Sequence, residues 1–414
     1  MKALRIRGIC LLVTSFFALL PTSSAVTFYV GTCHNPSYST ISAAVAAVAP
    51  GATIKVCPGT YPEQVFIAKG LTLEGISSGN TGRVVVSVPL SSSGGPNWQF
   101  VPDPNGSATM VAPMIYVNNP GADVTIKDIA TDSTADVNAP ACGAPGSYWI
   151  TSFLSQINQQ GIHNRFSDLG PAGNSWNTSQ PGCQVGIWSV LPPSTTNSGT
   201  QLTIINSAIL SNYQGIYVEC LPCLAGQTVN VNISGNTLNV SGAGIIYQGI
   251  SGKIASNTVE INSAPVGTQP GPNQGIVDVG GLASDPNVTI AGNTLTKSPG
   301  PTGSPATGID LSLAPVVPII STNRISGFDT GIALPSGATS GTVKGNFISI
   351  TSMAAINVNC GNPAAFTITG NIVNGTASAV SGAPIGYALS GITAYNADQL
   401  TQSCPGVNRK ATTQ

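Results

Sequence analysis

A short sequence cycle returns along the chain from about residue 200 onward. Each copy starts with an asparagine before a short apolar run and continues to a Gly-Ile or Ala-Ile step. The asparagines are Asn206, Asn236, Asn257, Asn293, Asn323, Asn346 and Asn371, and the steps end at Ile216, Ile245, Ile276, Ile309, Ile332, Ile356 and Ile392. A local pattern at irregular spacing is typical of a stacked repeat whose loops differ in length. The cycle therefore predicts a solenoid.

Each copy is too short to bury a core alone, so the copies must stack. One strand per turn then pairs with the strands above and below it, and the recurrent isoleucines form an inward ladder. The asparagines fall at tight turns, because Asn tolerates left-handed backbone and its amide can bond the next coil. We therefore interpret the asparagines as structural. The predicted fold class is all-β, a parallel β-helix of about ten coils forming a single domain over residues 26–400.

Three segments depart from the cycle. Residues 38–49 are predicted to form one helix, which ends at Pro50-Gly51 and caps the apolar end of the solenoid. Residues 132–183 carry much of the aromatic content and are predicted to be a long loop insert, with a helix around 150–160. Residues 401–414 are expected to be a flexible tail.

Residues 1–25 have the pattern of a signal peptide, with Lys2, Arg5 and Arg7 before an apolar stretch and small residues at the cleavage point. Removing them leaves 14 − 3 = 11 basic against 15 acidic residues. This net negative chain lacks the basic surface that nucleic-acid binding needs. No later segment offers the roughly 18 uninterrupted apolar residues of a membrane span. We therefore expect a secreted or periplasmic protein with no nucleic-acid partner and no membrane span.

Eight cysteines remain after the leader, an even number that suits disulfides in an oxidising compartment. Pairing nearest neighbours gives Cys33–Cys57, Cys142–Cys183, Cys220–Cys223 and Cys360–Cys404, although eight cysteines allow 105 connectivities. The Cys220-Leu-Pro-Cys223 spacing also occurs in redox motifs, but the strand-then-helix setting of those motifs is missing. Without a second such pair or a histidine pair, no metal site is expected, and we expect no cofactor.

The opening of the predicted domain resembles the pectin lyase-like superfamily of right-handed parallel β-helices. The residues that carry the resemblance are Tyr38-Ser-Thr-Ile-Ser-Ala-Ala-Val and Ile54-Lys-Val-Cys-Pro-Gly-Thr-Tyr-Pro-Glu63. The Gly59-Thr-Tyr61-Pro-Glu63 stretch is similar to the first Gly-x-Tyr-x-Glu motif of pectin methylesterases. The other motifs of pectin methylesterases, polygalacturonases and pectate lyases are missing. Only Arg324-Ile325 matches part of one, the Arg-Ile-Lys motif of polygalacturonases. The resemblance thus implies a right-handed parallel β-helix, secreted by a bacterium, and leaves the activity open.

Alternation along the strands predicts two outward columns beside the isoleucine ladder. The first column is Trp188, Tyr217, Ile246, Val277, Asp310, Ala333, Asn357 and Thr393. The second is Glu219, Gln248, Val279, Ser312, Asn359 and Tyr395. Trp188, Tyr217, Glu219 and Gln248 are the candidate residues for binding a polysaccharide, because aromatic and amide ladders at the coil spacing suit a sugar chain. The alternative is that loops pack over these aromatic rings.

A catalytic site is less well defined. A glycosidase needs two carboxylates about 5–9.5 Å apart, and Asp278 with Asp310 is the candidate pair. Asp278 faces inward in this alignment, so the pair requires a one-residue bulge. His163, Arg165 and Asp168 form a compact group that we interpret as surface hydrogen bonding. Three functions therefore stay open: a secreted β-helix that binds polysaccharide, a polysaccharide lyase or hydrolase, and an adhesin or surface-structural solenoid. The sequence does not predict an oligomeric state.

Overall fold

The computed structural model describes residues 26–374 except 77–81, 105, 120, 137–145, 158–160, 172–182, 192–200, 212, 221–228, 263–272, 281–287, 300–304, 314–317, 335–339 and 359–364. The predicted signal peptide and the predicted tail lie outside these residues, as do Ile392, Thr393 and Tyr395. In the part of the chain that is described, no helix is long and apolar enough to cross a membrane.

The chain forms one short helix and a long series of β-strands. Up to residue 171 the elements are β1 (Thr27–Val30), α1 (Ile41–Ala47), β2 (Thr53–Val56), β3 (Gly59–Pro62), β4 (Val65–Ile67), β5 (Leu71–Gly75), β6 (Val84–Ser87), β7 (Val101–Pro102), β8 (Met110–Asn119), β9 (Val124–Lys127), β10 (Ile129–Asp132), β11 (Tyr148–Ile157), β12 (His163–Ser167) and β13 (Gly170–Pro171). Then follow β14 (Cys183–Leu191), β15 (Gln201–Ile205), β16 (Ala208–Ser211), β17 (Gln214–Cys220), β18 (Val229–Ser234), β19 (Thr237–Val240), β20 (Ala243–Gln248), β21 (Ile250–Ala255), β22 (Thr258–Ile261), β23 (Gln274–Asp278), β24 (Val288–Ala291), β25 (Thr294–Lys297), β26 (Thr307–Asp310), β27 (Ile319–Ser321), β28 (Arg324–Leu334), β29 (Ser340–Lys344), β30 (Phe347–Val358), β31 (Ala365–Thr369) and β32 (Ile372–Asn374).

The strands stack into three faces of a parallel β-helix. Face 1 is a 12-stranded sheet in the order β1-β2-β5-β9-β12-β15-β18-β21-β24-β27-β29-β31. Face 2 starts as the sheet β3-β6-β10-β13 and continues through β16, β19, β22, β25, β28, β30 and β32. Face 3 contains β4, β8, β11, β14, β17, β20, β23, β26 and the second halves of β28 and β30. The predicted parallel β-helix is confirmed, and its face 1 has more strands than the ten coils expected.

The segment 132–183 differs from the predicted loop insert and helix. It contains β11 on face 3, β12 on face 1 and β13 on face 2, so it completes a coil of the solenoid. Strand β11 pairs in register with β8 on one side and β14 on the other. The Gly-Ile step is missing from this coil, which explains why the repeat pattern did not reveal it.

The predicted inward ladder is present on face 3. Its members pair in register as Ile187, Ile216, Ile245, Ile276, Ile309, Ile332 and Ile356. Each of these side chains is at most 1% exposed and belongs to the main hydrophobic core. Burial of this column, one isoleucine per coil, holds the stack together because each coil supplies apolar surface to its neighbours.

Glycine precedes the isoleucine because the bend between faces 2 and 3 leaves no room for a side chain. A Cβ atom at Gly308 would lie 2.5 Å from Ile325 Cγ2 and 2.7 Å from the carbonyl oxygen of Gly331 in the next coil. The neighbouring carbonyl belongs to the backbone, so it cannot move aside without shifting a strand. Space, rather than a left-handed backbone, therefore selects glycine here.

Gly308→Ala is accordingly expected to lower the free energy of unfolding by about 1–3 kcal/mol, since overpacking forces a backbone shift. Urea denaturation of both proteins measures the difference. Ala355→Gly is the matched control, because Ala355 occupies the same column in a later coil and already has a Cβ. Ala355→Gly should lower the free energy of unfolding by no more than about 1 kcal/mol, because glycine loses more conformational entropy than alanine when a strand forms. Equal stability of Gly308→Ala and wild type would contradict this account.

A second ladder, made of asparagine amides, lies at the turn between faces 1 and 2. Successive side chains donate Nδ2–H to the next Oδ1 at 2.8–2.9 Å, through Asn236, Asn257, Asn293, Asn323, Asn346 and Asn371. These asparagines are at most 1% exposed. Each ladder amide also accepts from the backbone N–H of the preceding member, as Asn293 Oδ1 does from Asn257 N at 2.9 Å. The structural interpretation of these asparagines is confirmed.

Asn206 is an exception to the ladder. It occupies the preceding position, where the backbone is left-handed with φ 52°, and it is exposed. Ser207 takes the ladder position, and its backbone N–H donates to Asn236 Oδ1 at 3.0 Å. The left-handed column contains Asp128, Asp168, Asn206, Gly235, Ser256, Gly292, Thr322, Gly345 and Gly370. Sequence alone does not separate the two columns here, because Asn suits both positions.

The helix α1 is shorter than the predicted 38–49 and buries Ile41, Ala44 and Val45. Thr40 is its N-cap, with the hydroxyl oxygen accepting from Ala43 N at 3.1 Å. The helix contacts β1, β2 and β4, the first strands of the stack. Its role as a cap of the solenoid stays a prediction.

The predicted disulfide Cys33–Cys57 is confirmed. Cys183 and Cys220 are also disulfide-bonded. Cys142, Cys223, Cys360 and Cys404 lie outside the described residues, so the other three pairings stay predictions.

Candidate functional site

The outward column on face 3 has the register that the repeat pattern predicted. Trp188, Tyr217, Ile246, Val277, Asp310, Ala333 and Asn357 pair strand by strand. The structure extends this column toward the N-terminal end through Leu154, Tyr116 and Phe66. The second predicted column pairs Glu219 with Gln248. The aromatic members of this column therefore lie on the outward side of β4, β8, β14 and β17, and Leu154 of β11 separates Tyr116 from Trp188.

The exposure of two candidate residues differs from the prediction. Trp188 is 2% exposed and Glu219 is 1% exposed. The indole of Trp188 belongs to a hydrophobic cluster with Leu154 and Val185, separate from the main core. Its Nε1–H donates to Glu219 Oε1 at 2.7 Å, which gives the buried carboxylate a hydrogen bond. Both residues point outward as predicted, but they lie beneath the surface and form a supporting pair.

Two rings in contact with Trp188, and a third in contact with one of these two, are half-buried and have solvent-facing parts. Tyr217 stacks on Trp188 with ring centroids 5.7 Å apart and an interplanar angle of 20°. Trp149 meets Trp188 edge to face at 6.1 Å, and Tyr213 lies 5.8 Å from Trp149. Burial raises the pKa of Tyr213, so its hydroxyl stays protonated. We call Trp149, Tyr213 and Tyr217 the aromatic platform.

Trp149 and Tyr213 were missed as candidate site residues. Trp149 lies in the segment interpreted as a loop, and Tyr213 lies between two strands, outside the predicted columns. Neither residue is a near neighbour of Trp188 in the sequence. Trp149 contacts Trp188 only because β11 pairs with β14. Only the aromatic content of the segment 132–183 pointed toward this place.

Gln248 and Asp310 are partly exposed and engaged in local hydrogen bonds. Gln248 Nε2 donates to the Gly280 carbonyl at 2.6 Å. The Asp310 carboxylate accepts from Gln274 Nε2 at 2.6 Å and from the Ser312 hydroxyl at 2.6 Å. Asp310 is thus an outward carboxylate held by two neighbours.

The proposed acid pair of Asp278 and Asp310 is not formed. Val277, not Asp278, pairs with Asp310 across β23 and β26. Asp278 pairs with the fully buried Tyr247, is 1% exposed, and accepts from Gly280 N at 2.9 Å. Because the register is regular here, no bulge turns Asp278 outward, and the two carboxylates point to opposite sides of the sheet. This geometry does not suit glycoside hydrolysis by that pair.

The Gly59-Thr-Tyr61-Pro-Glu63 motif has a structural role. Glu63 accepts from the backbone N–H groups of Ile41 and Ser42, each at 2.8 Å, at the start of α1. The Tyr61 hydroxyl donates to the Cys57 carbonyl at 2.8 Å. A carboxylate at a helix N-terminus is favourable because it meets unsatisfied N–H groups. The motif therefore ties the helix to the first coil.

A second aromatic group lies at the N-terminal end of face 3. Trp98 Nε1 and the Tyr148 hydroxyl both donate to Asp136 Oδ2, at 2.7 Å and 2.8 Å. Asp136 is 1% exposed. Burial, together with this bond, raises the pKa of Tyr148 well above its ordinary value. Trp98 also lines a shallow pocket with Phe66, Pro62, Glu63, Gln64, Pro89, Asn97 and Gln99.

The group around His163 lies on face 1, within β12 instead of a loop. His163 Nδ1 is 3.9 Å from Asp123 Oδ2, and its backbone N–H donates to Asp123 Oδ1 at 2.8 Å. His163 and Arg165 are both exposed on the outward side of the sheet. This placement suits the surface hydrogen bonding that the sequence indicated, away from the aromatic platform.

Charge divides the faces of the solenoid. The strands β4, β8, β11, β14, β17, β20, β23 and β26 of face 3 contain no lysine, arginine or histidine. Their acidic residues are Glu219, Asp278 and Asp310. Among the described residues, no group of three or more His, Cys, Asp or Glu side chains is placed to hold a metal ion. Within the described strands of face 3, a ligand at the aromatic platform would therefore meet rings, amides and hydroxyls and no cation.

No protein-family model matches the sequence, and none of the curated proteins matches it. The structure is similar to the GH136 lacto-N-biosidase from Eubacterium ramulus, with a TM-score of 0.53 and 12% identity over 85% of this chain and 68% of that chain. The two proteins share the parallel β-helix fold. Weaker similarity extends to the DFA-IIIase from Arthrobacter chlorophenolicus A6 without its lid (TM-score 0.44, 13% identity, 94% of this chain and 100% of that one). PfbA, a surface adhesin of Streptococcus pneumoniae, is similar at TM-score 0.43 and 13% identity, over 86% of this chain and 87% of that one. At these identities the likeness concerns the fold.

Proposed function

We propose that this protein binds a glycan on the outward side of face 3, at the aromatic platform. The observation that carries the proposal is the group of half-exposed rings of Trp149, Tyr213 and Tyr217 around the buried Trp188. Aromatic rings bind sugars through their apolar faces, and a rigid support lowers the entropy lost on binding. Trp188 and Glu219 supply that support through stacking and the 2.7 Å hydrogen bond.

The chemistry of face 3 favours a neutral glycan. A uronate would gain from a lysine or arginine, and eight strands of this face contain neither. Gln248 and Asp310 are the partly exposed polar groups that lie farther along the face, and both suit sugar hydroxyls. The fold is shared with the GH136 lacto-N-biosidase from Eubacterium ramulus. That similarity supports a carbohydrate ligand by analogy of fold.

We infer secretion from the leader-like residues 1–25 and from the disulfide Cys33–Cys57. Disulfides persist in oxidising compartments and are rare in the cytosol. The glycan is then one found outside the cell or on a cell surface.

The test is binding of the mature protein to a panel of neutral and acidic glycans. The double variant Trp149→Ala with Tyr217→Ala is expected to bind the glycan that the wild-type protein selects from the panel about tenfold more weakly, or weaker still, because anchor residues are lost. Phe347→Ala is the matched control, because Phe347 is a half-buried outward aromatic ring on face 2, beside Arg324. Thermal unfolding verifies that each variant is folded. Unchanged binding by the folded double variant would exclude the platform as the glycan site.

A further inference from the structure

The N-terminal end of the solenoid has an open strand edge. Strand β1 is the first strand of face 1, and β2 pairs with it on one side. The backbone N–H and C=O of Thr27 and the N–H of Tyr29 point away from β2 and have no hydrogen-bond partner among the described residues. Farther along this edge Tyr38 closes it, because its N–H donates to the Tyr29 carbonyl and its carbonyl accepts from Gly31 N, both at 2.8 Å. The free part of the edge is therefore the start of β1.

This end of the solenoid has almost no charged side chains. Residues 26–54 contain no lysine, arginine, aspartate or glutamate. The first charged pair inside face 1 is Lys55 on β2 and Glu74 opposite it on β5. Near α1, Glu63 accepts from the first N–H groups of the helix and Lys69 donates to carbonyls at its other end. Free strand edges are normally guarded by charged side chains, and β1 has none.

The helix at this end exposes small apolar side chains. Ala43, Ala46 and Ala47 are the exposed residues of α1. Val26, immediately before β1, is 62% exposed. Terminal units of solenoids normally have a polar outer face, which keeps them soluble. The N-terminal end therefore lacks the surface of an end that stays free in water.

An aromatic pocket opens beside the free edge. Its volume is about 500 Å³, and it is lined mainly by the rings of Phe28, Tyr29, His34 and Tyr38 and by Pro36. His34 stacks on Tyr29 with ring centroids 3.6 Å apart and an interplanar angle of 5°. The edge thus offers backbone hydrogen bonds next to an apolar recess, which suits an added β-strand with apolar side chains.

We propose that the N-terminal ends of two copies of this protein bind each other, with their β1 strands paired antiparallel about a two-fold axis. Thr27 of each copy would exchange N–H···O bonds with the partner's Thr27, since one free donor and one free acceptor on the same residue make a hydrogen-bonded pair. Val26 would then lie opposite the partner's Phe28, which covers its exposed side chain. Face 1 would continue from one copy into the other as a single sheet.

The chemistry of this end favours a second copy over an unrelated partner. In a two-fold interface each patch meets itself, so a charged patch would repel its own image. Residues 26–54 avoid this repulsion, and the donor and acceptor of Thr27 are self-complementary. After cleavage at the predicted site the α-amino group of Val26 adds one charge per copy. The two α-amino groups would lie on opposite sides of the axis, several residues apart.

The experiment measures the mass of the mature protein by sedimentation equilibrium over a range of concentrations, and a concentration-dependent dimer is expected. Thr27→Lys places two like charges at the axis and should raise the dimer dissociation constant about tenfold or more. Thr203→Lys is the matched control, because Thr203 lies in the same outward column on β15, a strand paired on both sides. Thr27→Val keeps both backbone groups and should leave the dissociation constant nearly unchanged. Thermal unfolding verifies that each variant is folded.

A cysteine variant tests the two-fold arrangement itself. Thr27→Cys should give a dimer linked by a disulfide on non-reducing electrophoresis, because the Cα atoms of a hydrogen-bonded pair lie about 5.5 Å apart, within the reach of a disulfide. Thr203→Cys should stay unlinked. A protein that is monomeric at every concentration, a dimer unaffected by Thr27→Lys, or a Thr27→Cys protein that does not cross-link would each overturn the proposal. The double variant Trp149→Ala with Tyr217→Ala should dimerise normally, which keeps this test separate from the platform.

Discussion

Trp188→Ala is expected to lower the free energy of unfolding by about 3–5 kcal/mol, as truncation of a buried tryptophan usually does. The side chain points away from the main core, so alternation alone would place it at the surface. In the structure it is 2% exposed and packs with Leu154, Val185 and Tyr217. Its loss would also remove the hydrogen bond to the buried Glu219 carboxylate. Chemical denaturation monitored by circular dichroism measures the change.

Tyr217→Ala is the comparison for this prediction. Tyr217 occupies the next position of the same column but is only half-buried, so its truncation should cost clearly less than that of Trp188. Trp188→Phe keeps most of the apolar volume and removes the indole N–H, so it separates packing from the bond to Glu219. If Trp188→Ala were as stable as wild type, the outward cluster would contribute nothing to the fold. The aromatic platform would then lack its support.

Asn293→Ala is expected to destabilise the protein by about 3 kcal/mol or more, because each buried polar group left unsatisfied costs about 1–3 kcal/mol. The Asn293 side chain accepts from the backbone and side-chain nitrogens of Asn257, both at 2.9 Å. It also donates to the Ile254 carbonyl and to Asn323 Oδ1, both at 2.9 Å. Removing the amide takes the side-chain acceptor from Asn257 N and one hydrogen bond each from Asn257 Nδ2, the Ile254 carbonyl and Asn323 Oδ1, inside a fully buried turn. Urea denaturation is again the measurement.

Asn206→Ala is the matched substitution for the ladder prediction. Asn206 belongs to the same sequence cycle, yet it is exposed and left-handed, and Ser207 holds the ladder position. Its replacement should cost only the strain of alanine in a left-handed turn, about 1–2 kcal/mol. A loss at Asn206 equal to or larger than that at Asn293 would show that backbone strain, and not the amide ladder, dominates these turns.

The repeat cycle was sufficient to predict the parallel β-helix and much of its register. A stacked repeat has one arrangement that buries every isoleucine of the Gly-Ile step, and alternation within a strand then assigns its neighbours to the outward side. For this reason the sequence pattern predicts the outward column that contains Trp188, Tyr217, Val277 and Asp310. The same logic identified the asparagine amides as links between coils.

Other features depended on contacts that no local pattern encodes. The coil built from β11, β12 and β13 lacks the Gly-Ile step, so its sequence predicts a loop, and only the pairing of β11 with β8 and β14 makes it part of the stack. The regular pairing of Val277 with Asp310 kept Asp278 inside and separated the two carboxylates.

The sequence by itself determined the architecture, because the interior of a solenoid repeats in every coil and leaves its signature once per turn. It did not determine the surface. Whether an outward side chain meets solvent depends on which residues pack over it. Those residues come from distant parts of the chain and do not repeat from coil to coil, so the sequence pattern does not identify them. Trp188 and Glu219 are outward in register and buried in fact, whereas Trp149 and Tyr213 became neighbours only when β11 and β14 paired. Tertiary structure alone decided which rings face solvent.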